Sequence, residues 1–159
     1  MLLPNGNAVL IPGTATVIRI FDGTTLSTGP AATGRSGGVL LPDGRVLLVP
    51  GTAATIGIYD PVANSVFVGP AATNYSGGVL LPDGRVLLIP SLATSLAIYN
   101  PVTNVLTTIA GPTGCAGGVL LPDGRVVLVT NLTQGTLLTY LTNTPAPAEF
   151  CLHPFFNKF

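Results

Sequence analysis

One ten-residue segment occurs three times in this chain of 159 residues, with a fixed period of 40. Its copies begin at Gly37, Gly77 and Gly117, and each contains the core Leu-Leu-Pro-Asp-Gly-Arg. A fourth, degraded copy opens the chain as Leu-Leu-Pro-Asn-Gly at residues 2–6, displaced by 38 residues. A fixed period of this length is the sequence signature of a repeat architecture, in which each repeat is one supersecondary unit. The chain therefore contains four copies of one unit.

The unit that begins at Gly77 predicts four short strands. Two apolar runs are joined by Asp83-Gly84, and Asp-Gly between apolar runs indicates a tight type I′ hairpin. The dipeptide Asn100-Pro101 marks a second turn, which separates a third strand from a fourth. The four predicted strands are 77–81, 85–89, 95–99 and 105–108. A β-solenoid is the competing architecture, but its coils are shorter and are not joined by Asp-Gly hairpins.

Four strands in about 40 residues predict an all-β chain folded as a β-propeller of four-stranded blades. We predict a single domain over residues 1–159 with about four 40-residue repeats, and no helix is expected in it. The repeats are approximately 1–36, 37–76, 77–116 and 117–159. The middle strands, 46–49, 86–89 and 126–129, are apolar at consecutive positions. They should be the most buried segments, because neighbouring blades would cover both faces. The Gly-Gly pairs suit a crowded central axis.

Composition excludes several classes of partner. Six basic residues balance six acidic ones and only 8% of the chain is charged, so there is no electrostatic footprint for nucleic acid. Although 47% of the residues are apolar, no 18-residue window escapes Asp, Arg, Asn, Pro or Gly, and we expect no membrane span. Residues 1–12 lack the basic flank of a signal peptide, and the localisation of the protein is left unassigned.

The unit LLPDGRVLLVPG…IYDPVANSVFVGPA resembles kelch repeats and the propeller domain of galactose-oxidase-like proteins, over residues 2 to about 138. The aromatic-Asp-Pro turn of that family is kept at Tyr59-Asp60-Pro61, whereas its tryptophan is missing. The copper oxidases of the family need tyrosine and histidine ligands, and the single histidine, His153, lies outside the repeats. The resemblance therefore implies a propeller without the copper site, and no cofactor or metal is predicted.

Two sets of repeated positions are candidate binding residues. Aspartate and arginine recur around each turn, so they would form a ring on one face that could bind a cation, a sugar or a partner loop; simple closure of the hairpin is the favoured interpretation. The residues just before each Gly-Gly pair instead vary, and variation on a fixed scaffold is where a binding surface can be written. The candidates are Asp43, Arg45, Asp83, Arg85, Asp123 and Arg125 on the turns, and Arg35 and Tyr75 before the glycines.

From these features we expect a non-catalytic interaction or structural module that binds protein or carbohydrate. A lectin-like propeller and a degenerate fragment of a galactose-oxidase-like enzyme without its copper site are the alternatives. No enzyme activity is expected, because His153 has no carboxylate or nucleophile placed beside it by the pattern. Cys115 and Cys151 are expected to be free thiols, with a disulfide as the alternative in an oxidising compartment.

Both terminal repeats are irregular, which raises the question of ring closure. In the last repeat, Thr139-Tyr140 stand where Tyr-Asp or Tyr-Asn is expected, and the tail that follows is rich in apolar residues. An uncapped end blade exposes an apolar face and strand edges. Either the tail supplies the missing strand and closes a four-bladed ring, or two chains share a ring of about eight blades. We expect the second arrangement, a homo-oligomer that completes the ring.

Overall fold

A computed structural model of the protein describes residues 1–130 and 137–141. All of the regular elements in these two segments are β-strands. The strands are β1 (Ala8–Leu10), β2 (Val17–Phe21), β3 (Leu26–Ala31), β4 (Arg35–Leu40), β5 (Val46–Pro50), β6 (Thr55–Asp60), β7 (Ser65–Ala71), β8 (Tyr75–Leu80), β9 (Val86–Pro90), β10 (Leu96–Asn100), β11 (Val105–Ile109), β12 (Cys115–Leu120), β13 (Arg125–Thr130) and β14 (Leu137–Leu141). No helix in the described segments could cross a membrane.

The strands form four antiparallel sheets in chain order, which we call blades one to four. Blade one is β1-β2-β3, blade two is β4-β5-β6-β7, blade three is β8-β9-β10-β11 and blade four is β12-β13-β14. An isolated bridge between Leu2 and Ala8 stands where blade one would have its inner strand. The inner strands pack side by side, β4 against β8 and β8 against β12. Blades two and three have the predicted four strands, and the side-by-side packing of the inner strands is that of a propeller.

The hairpin that begins each blade differs in one respect from the prediction. In blade two the amide of Gly44 donates to the carbonyl of Leu41 at 3.0 Å, and of the residues in this turn only Gly44 has a positive φ, 86°. A type I′ turn needs positive φ at both central residues, so the predicted turn type is wrong. Pro42 fixes its own φ near −65°, which suits the second position of a type I turn, and Gly44 then adopts the left-handed conformation after it.

An apolar core lies between each pair of neighbouring blades. The core between blades one and two contains Val9, Ile18 and Tyr59, and the next two cores repeat it around Leu88 and Leu128. Every residue of 46–49 and 86–89 is buried, as predicted, because a blade covers each face. The prediction is wrong for 126–129, since only alternate residues there are buried. Among the described blades, only blade three packs against that strand, through Val126 and Leu128.

The second glycine of each Gly-Gly pair has no room for a side chain. A Cβ on Gly78 would lie 2.9 Å from the Val39 side chain of the preceding blade, and a Cβ on Gly38 would lie even closer to the Ile11 side chain. Such distances are shorter than side-chain atoms tolerate without moving. A Cβ on Gly37 would meet nothing within 4 Å. The crowding predicted for both glycines is therefore confined to the one that faces the preceding blade.

Candidate functional site

Each Asp-Gly-Arg turn forms a self-contained ion pair. In blade two, Oδ1 of Asp43 accepts a hydrogen bond from the amide of Arg45 at 3.0 Å, and Oδ2 accepts one from its Nε at 2.8 Å. The turns of blades three and four repeat this geometry. The side-chain bond from Arg45 holds the pKa of Asp43 below its usual range, so the carboxylate is ionised at neutral pH. The six predicted turn residues are Asp43, Arg45, Asp83, Arg85, Asp123 and Arg125, and they all take part in these pairs.

A groove of about 580 Å³ lies between blades two and three at the turn end of the inner strands. The predicted turn residues Asp43, Asp83 and Arg85 contribute to its lining. Asn100 and Val102 line the other side, from the turn between β10 and β11. This volume is in the range of sites that hold small molecules. The structure thus brings the turn residues of two blades together around one concave surface.

A second groove, of about 320 Å³, occupies the equivalent place one repeat earlier, between blades one and two. Asp43 and Arg45 line it from the inner turn, and Asp60 and Val62 line it from the outer turn. The recurrence one blade away indicates that the grooves are a product of the repeat. Arg45 and Arg85 line these grooves. The corresponding turn of blade one, Asn5-Gly6-Asn7, contains no charged residue.

The outer turns are the part of the site that the sequence analysis missed. Oδ1 of Asp60 accepts hydrogen bonds from the amides of Val62 and Ala63, and Asn100 does the same for its own turn. Because the turn residues satisfy each other, the valine at the tip is left pointing outward, with Val62 95% exposed and Val102 91% exposed. The sequence carries a signal for these turns, because the pattern Pro-Val-x-Asn occurs in both of them at an interval of 40 residues.

Arg35 and Tyr75 lie apart from the turn residues, at the other end of the inner strands. The Nη1 atom of Arg35 donates to the carbonyl of Thr55, and the guanidinium crosses the blade above Gly57, where a Cβ would lie 3.0 Å from Nη2. Burial lowers the pKa of Arg35. Tyr75 is buried in the core between blades two and three. Arg35 therefore packs on its own blade and Tyr75 packs between blades, and the structure does not bring either side chain together with the aspartates.

The serines beside these residues join one blade to the next. The hydroxyl of Ser36 donates to the carbonyl of Tyr75 at 2.6 Å, and that of Ser76 donates to the carbonyl of Cys115 at 2.9 Å. In blade four the same position is Ala116, which has no hydroxyl. The serine of each variable pair thus connects its blade to the next one: Ser36 connects blade two to blade three, and Ser76 connects blade three to blade four.

Within the described segments, no three His, Cys, Asp or Glu side chains are grouped closely enough to hold a metal ion. Cys115 is a buried free thiol, and its burial raises the pKa of the sulfur. His153 and Cys151 lie outside the described residues, so the predictions made for them stay predictions.

The chain is similar to known proteins in its fold. No family model matches the chain, and no curated protein matches it. Solved structures do match. The virginiamycin B lyase from Staphylococcus aureus has a TM-score of 0.68 at 14% identity, over 92% of this chain and 55% of that one. A putative gluconolactonase has a TM-score of 0.61 at 12% identity, over 91% of this chain and 63% of that one. A fungal alcohol oxidase of the AA5 family, in complex with copper, has a TM-score of 0.56 at 14% identity, over 91% of this chain and 41% of that one.

These likenesses confirm the predicted β-propeller fold, whereas they do not single out the kelch or galactose-oxidase-like type. The chain spans about half the length of the lyase structures that it matches. The expectation of a non-catalytic module with no enzyme activity is overturned, because the similar structures named above are a lyase, a putative gluconolactonase and an alcohol oxidase. The error arose because the lack of a recognisable set of catalytic side chains in a sequence does not exclude enzyme activity. At 12–14% identity, the fold alone carries none of those activities to this chain.

Proposed function

We propose that this chain is one arc of an enzymatic β-propeller, and that its substrate is a small ester or lactone bound in the groove between blades two and three. The observation that carries the proposal is the groove itself, which combines a ligand-sized volume of about 580 Å³ with Asp43, Arg85 and Asn100 on its walls. The lyase and the gluconolactonase among the similar structures support a catalytic use of the fold.

Arg85 is the group best placed to act on a substrate carbonyl. Its hydrogen bonds in the described part of the chain use the backbone amide and Nε, both of which donate to Asp83. The two terminal nitrogens are therefore able to donate to a carbonyl oxygen and to stabilise the negative charge that develops there. Asp83 orients the guanidinium by accepting the hydrogen bond from Nε.

Asp43 faces the same groove from the neighbouring blade. Because its pKa is lowered, the carboxylate is in the form that accepts a proton at neutral pH, although a low pKa also makes it a weak base. We therefore assign most of the expected rate enhancement to Arg85 and a smaller part to proton transfer through Asp43. Asn100 would hold the substrate through its side-chain amide.

The test is hydrolytic or eliminative opening of ester substrates by the purified chain, followed by mass spectrometry, with gluconolactone and quinupristin as the first two substrates. Arg85→Ser should lower kcat/KM by about 100-fold or more, which is the usual cost of removing one donor to a developing oxyanion. Arg125→Ser is the matched control, because Arg125 makes the same ion pair with Asp123 and does not line this groove. Equal losses in the two variants, or no turnover of any ester or lactone, would contradict the proposal.

A further inference from the structure

Each blade has two faces that pack against different neighbours. Alternate residues of a strand point to opposite sides of the sheet. In blade two, Leu47 and Val49 pack in the core shared with blade three, whereas Val46 and Leu48 pack in the core shared with blade one. We call the first side the following face and the second side the preceding face. Every core between blades therefore joins a following face to a preceding face.

Blade four exposes its following face. Val119 is 57% exposed, whereas its counterparts in blades two and three, Val39 and Val79, are each 8% exposed. Val129 is 51% exposed, and its counterpart Val49 is completely buried. These side chains are apolar because the repeat places them at an interface between blades, and in blade four no described blade covers them.

Blade one exposes its preceding face in the same way. The pairing of β1 with β2 places Leu10 and Phe21 at the positions that Leu48 and Tyr59 occupy in blade two. Leu10 is 49% exposed and Phe21 is 39% exposed, whereas both counterparts are buried against the neighbouring blade. The two ends of the array are therefore the two halves of the interface that already occurs three times inside it.

We propose that a second copy of this chain covers these ends, with the following face of blade four in one copy packed on the preceding face of blade one in the other. Two such head-to-tail contacts join two chains into one ring of eight blades, which lies within the range known for propellers. Each of these contacts repeats the packing of a following face on a preceding face that occurs three times within one chain. This inference does not depend on the proposed activity.

The first measurement is the solution mass by light scattering at micromolar concentration. A value near twice 16.1 kDa is expected. A monomer would overturn the proposal. A mass that continues to grow with concentration would overturn it as well, because the ends would then associate without closing a ring.

Substitutions at the two ends test the head-to-tail arrangement. Val129→Asp and Leu10→Asp each place an unpaired charge in the proposed contact, and each should weaken association by at least about 100-fold. Leu92→Asp is the control, since Leu92 is 80% exposed in the loop between β9 and β10 and belongs to neither end face. It should leave the mass unchanged. Circular dichroism of all three variants separates loss of association from loss of fold.

Mixing the two end variants gives the decisive result. A dimer of either variant alone has both contacts damaged, whereas a mixed dimer has one contact that carries both substitutions and one that carries none. The mixture should therefore recover a mass near that of two chains although each variant alone is a monomer. Failure of the mixture to associate, or a Leu10→Asp variant that stays dimeric by itself, would overturn the head-to-tail contact.

Discussion

Truncation of Leu88 to alanine tests whether the blades form a packed array. Leu88 is completely buried in the core between blades two and three, where Tyr75 and Ala97 are among its neighbours. The change removes three carbon atoms, which costs about 2.4 kcal/mol in transfer free energy at about 0.8 kcal/mol for each. A cavity adds to this cost when the surroundings cannot collapse. Leu88 lies in a central strand that is hydrogen-bonded on both sides, so collapse is restricted.

We therefore expect Leu88→Ala to lower the free energy of unfolding by about 3 to 4 kcal/mol, within the range of about 2 to 5 kcal/mol seen for buried leucines. Urea denaturation followed by circular dichroism measures the change, with the dependence on denaturant checked for constancy. Leu92→Ala is the control and should cost less than about 0.5 kcal/mol, because Leu92 is exposed. A loss below about 1 kcal/mol for Leu88→Ala would refute packing of this strand between two blades.

Three further predictions follow from the turns and from the buried thiol. Gly84→Ala should destabilise the fold by about 1 to 2 kcal/mol in urea denaturation, because φ is +82° there, whereas Gly77→Ala should have little effect since φ is ordinary and no atom crowds the site. The hydroxyl of Thr25 and the amides of residues 24 and 25 lower the pKa of Asp22 to about 2 from 3.8, so the stability it contributes is present above about pH 4 and is lost as the pH falls towards 2. A pH series should show a smaller loss in Asp22→Asn than in the wild type, where Asp43 and Asp123 also have lowered pKa values. In a Cys151→Ser background, the Cys115 thiol should react with a thiol reagent much more slowly in the folded protein than in urea, because it is buried and its pKa is raised; equal rates would contradict the burial.

The strands of each blade were predictable because turn-forming residues separate them in the sequence. The strands predicted in the third repeat agree with β8 to β11 to within two residues at each end, because Asp-Gly and Asn-Pro strongly favour turns. The type of the first turn was not predicted correctly, because Asp-Gly was considered without the proline that precedes it. The fixed φ of that proline decides between the two turn types.

The end of the array was harder to predict. A consecutive apolar run has the same appearance whether one or two blades cover it, so the exposure of Val129 could not be foreseen. The register also corrects the last repeat: Tyr140 pairs with Val126 as Tyr99 pairs with Val86, which preserves the tyrosine position that sequence spacing had placed one residue away. Strand pairing can therefore preserve a position that a one-residue insertion displaces in the sequence.

The variable positions before the glycines show why site predictions from one chain fail. Arg35 lies over Gly57, and in the next blade Tyr75 occupies the same position in a core that contains Ala97. The residue 22 positions later in the same blade is small in both cases, a glycine for Arg35 and an alanine for Tyr75. Variation at such positions is constrained by packing, and the sequence alone does not reveal the partner that constrains it. The turn residues were found because their partners are two residues away.

The proposed activity and the proposed ring can fail independently, because the groove between blades two and three lies within one chain. Its walls come from Asp43, Arg85 and Asn100, none of which belongs to an end face. The monomer produced by Leu10→Asp should therefore keep a kcat/KM close to that of the wild type in the ester assay. If activity is instead lost in Leu10→Asp and returns when Val129→Asp is mixed in, the second copy must complete the catalytic site. That result would support the ring and would move the reaction away from the groove, towards the junction between the two chains.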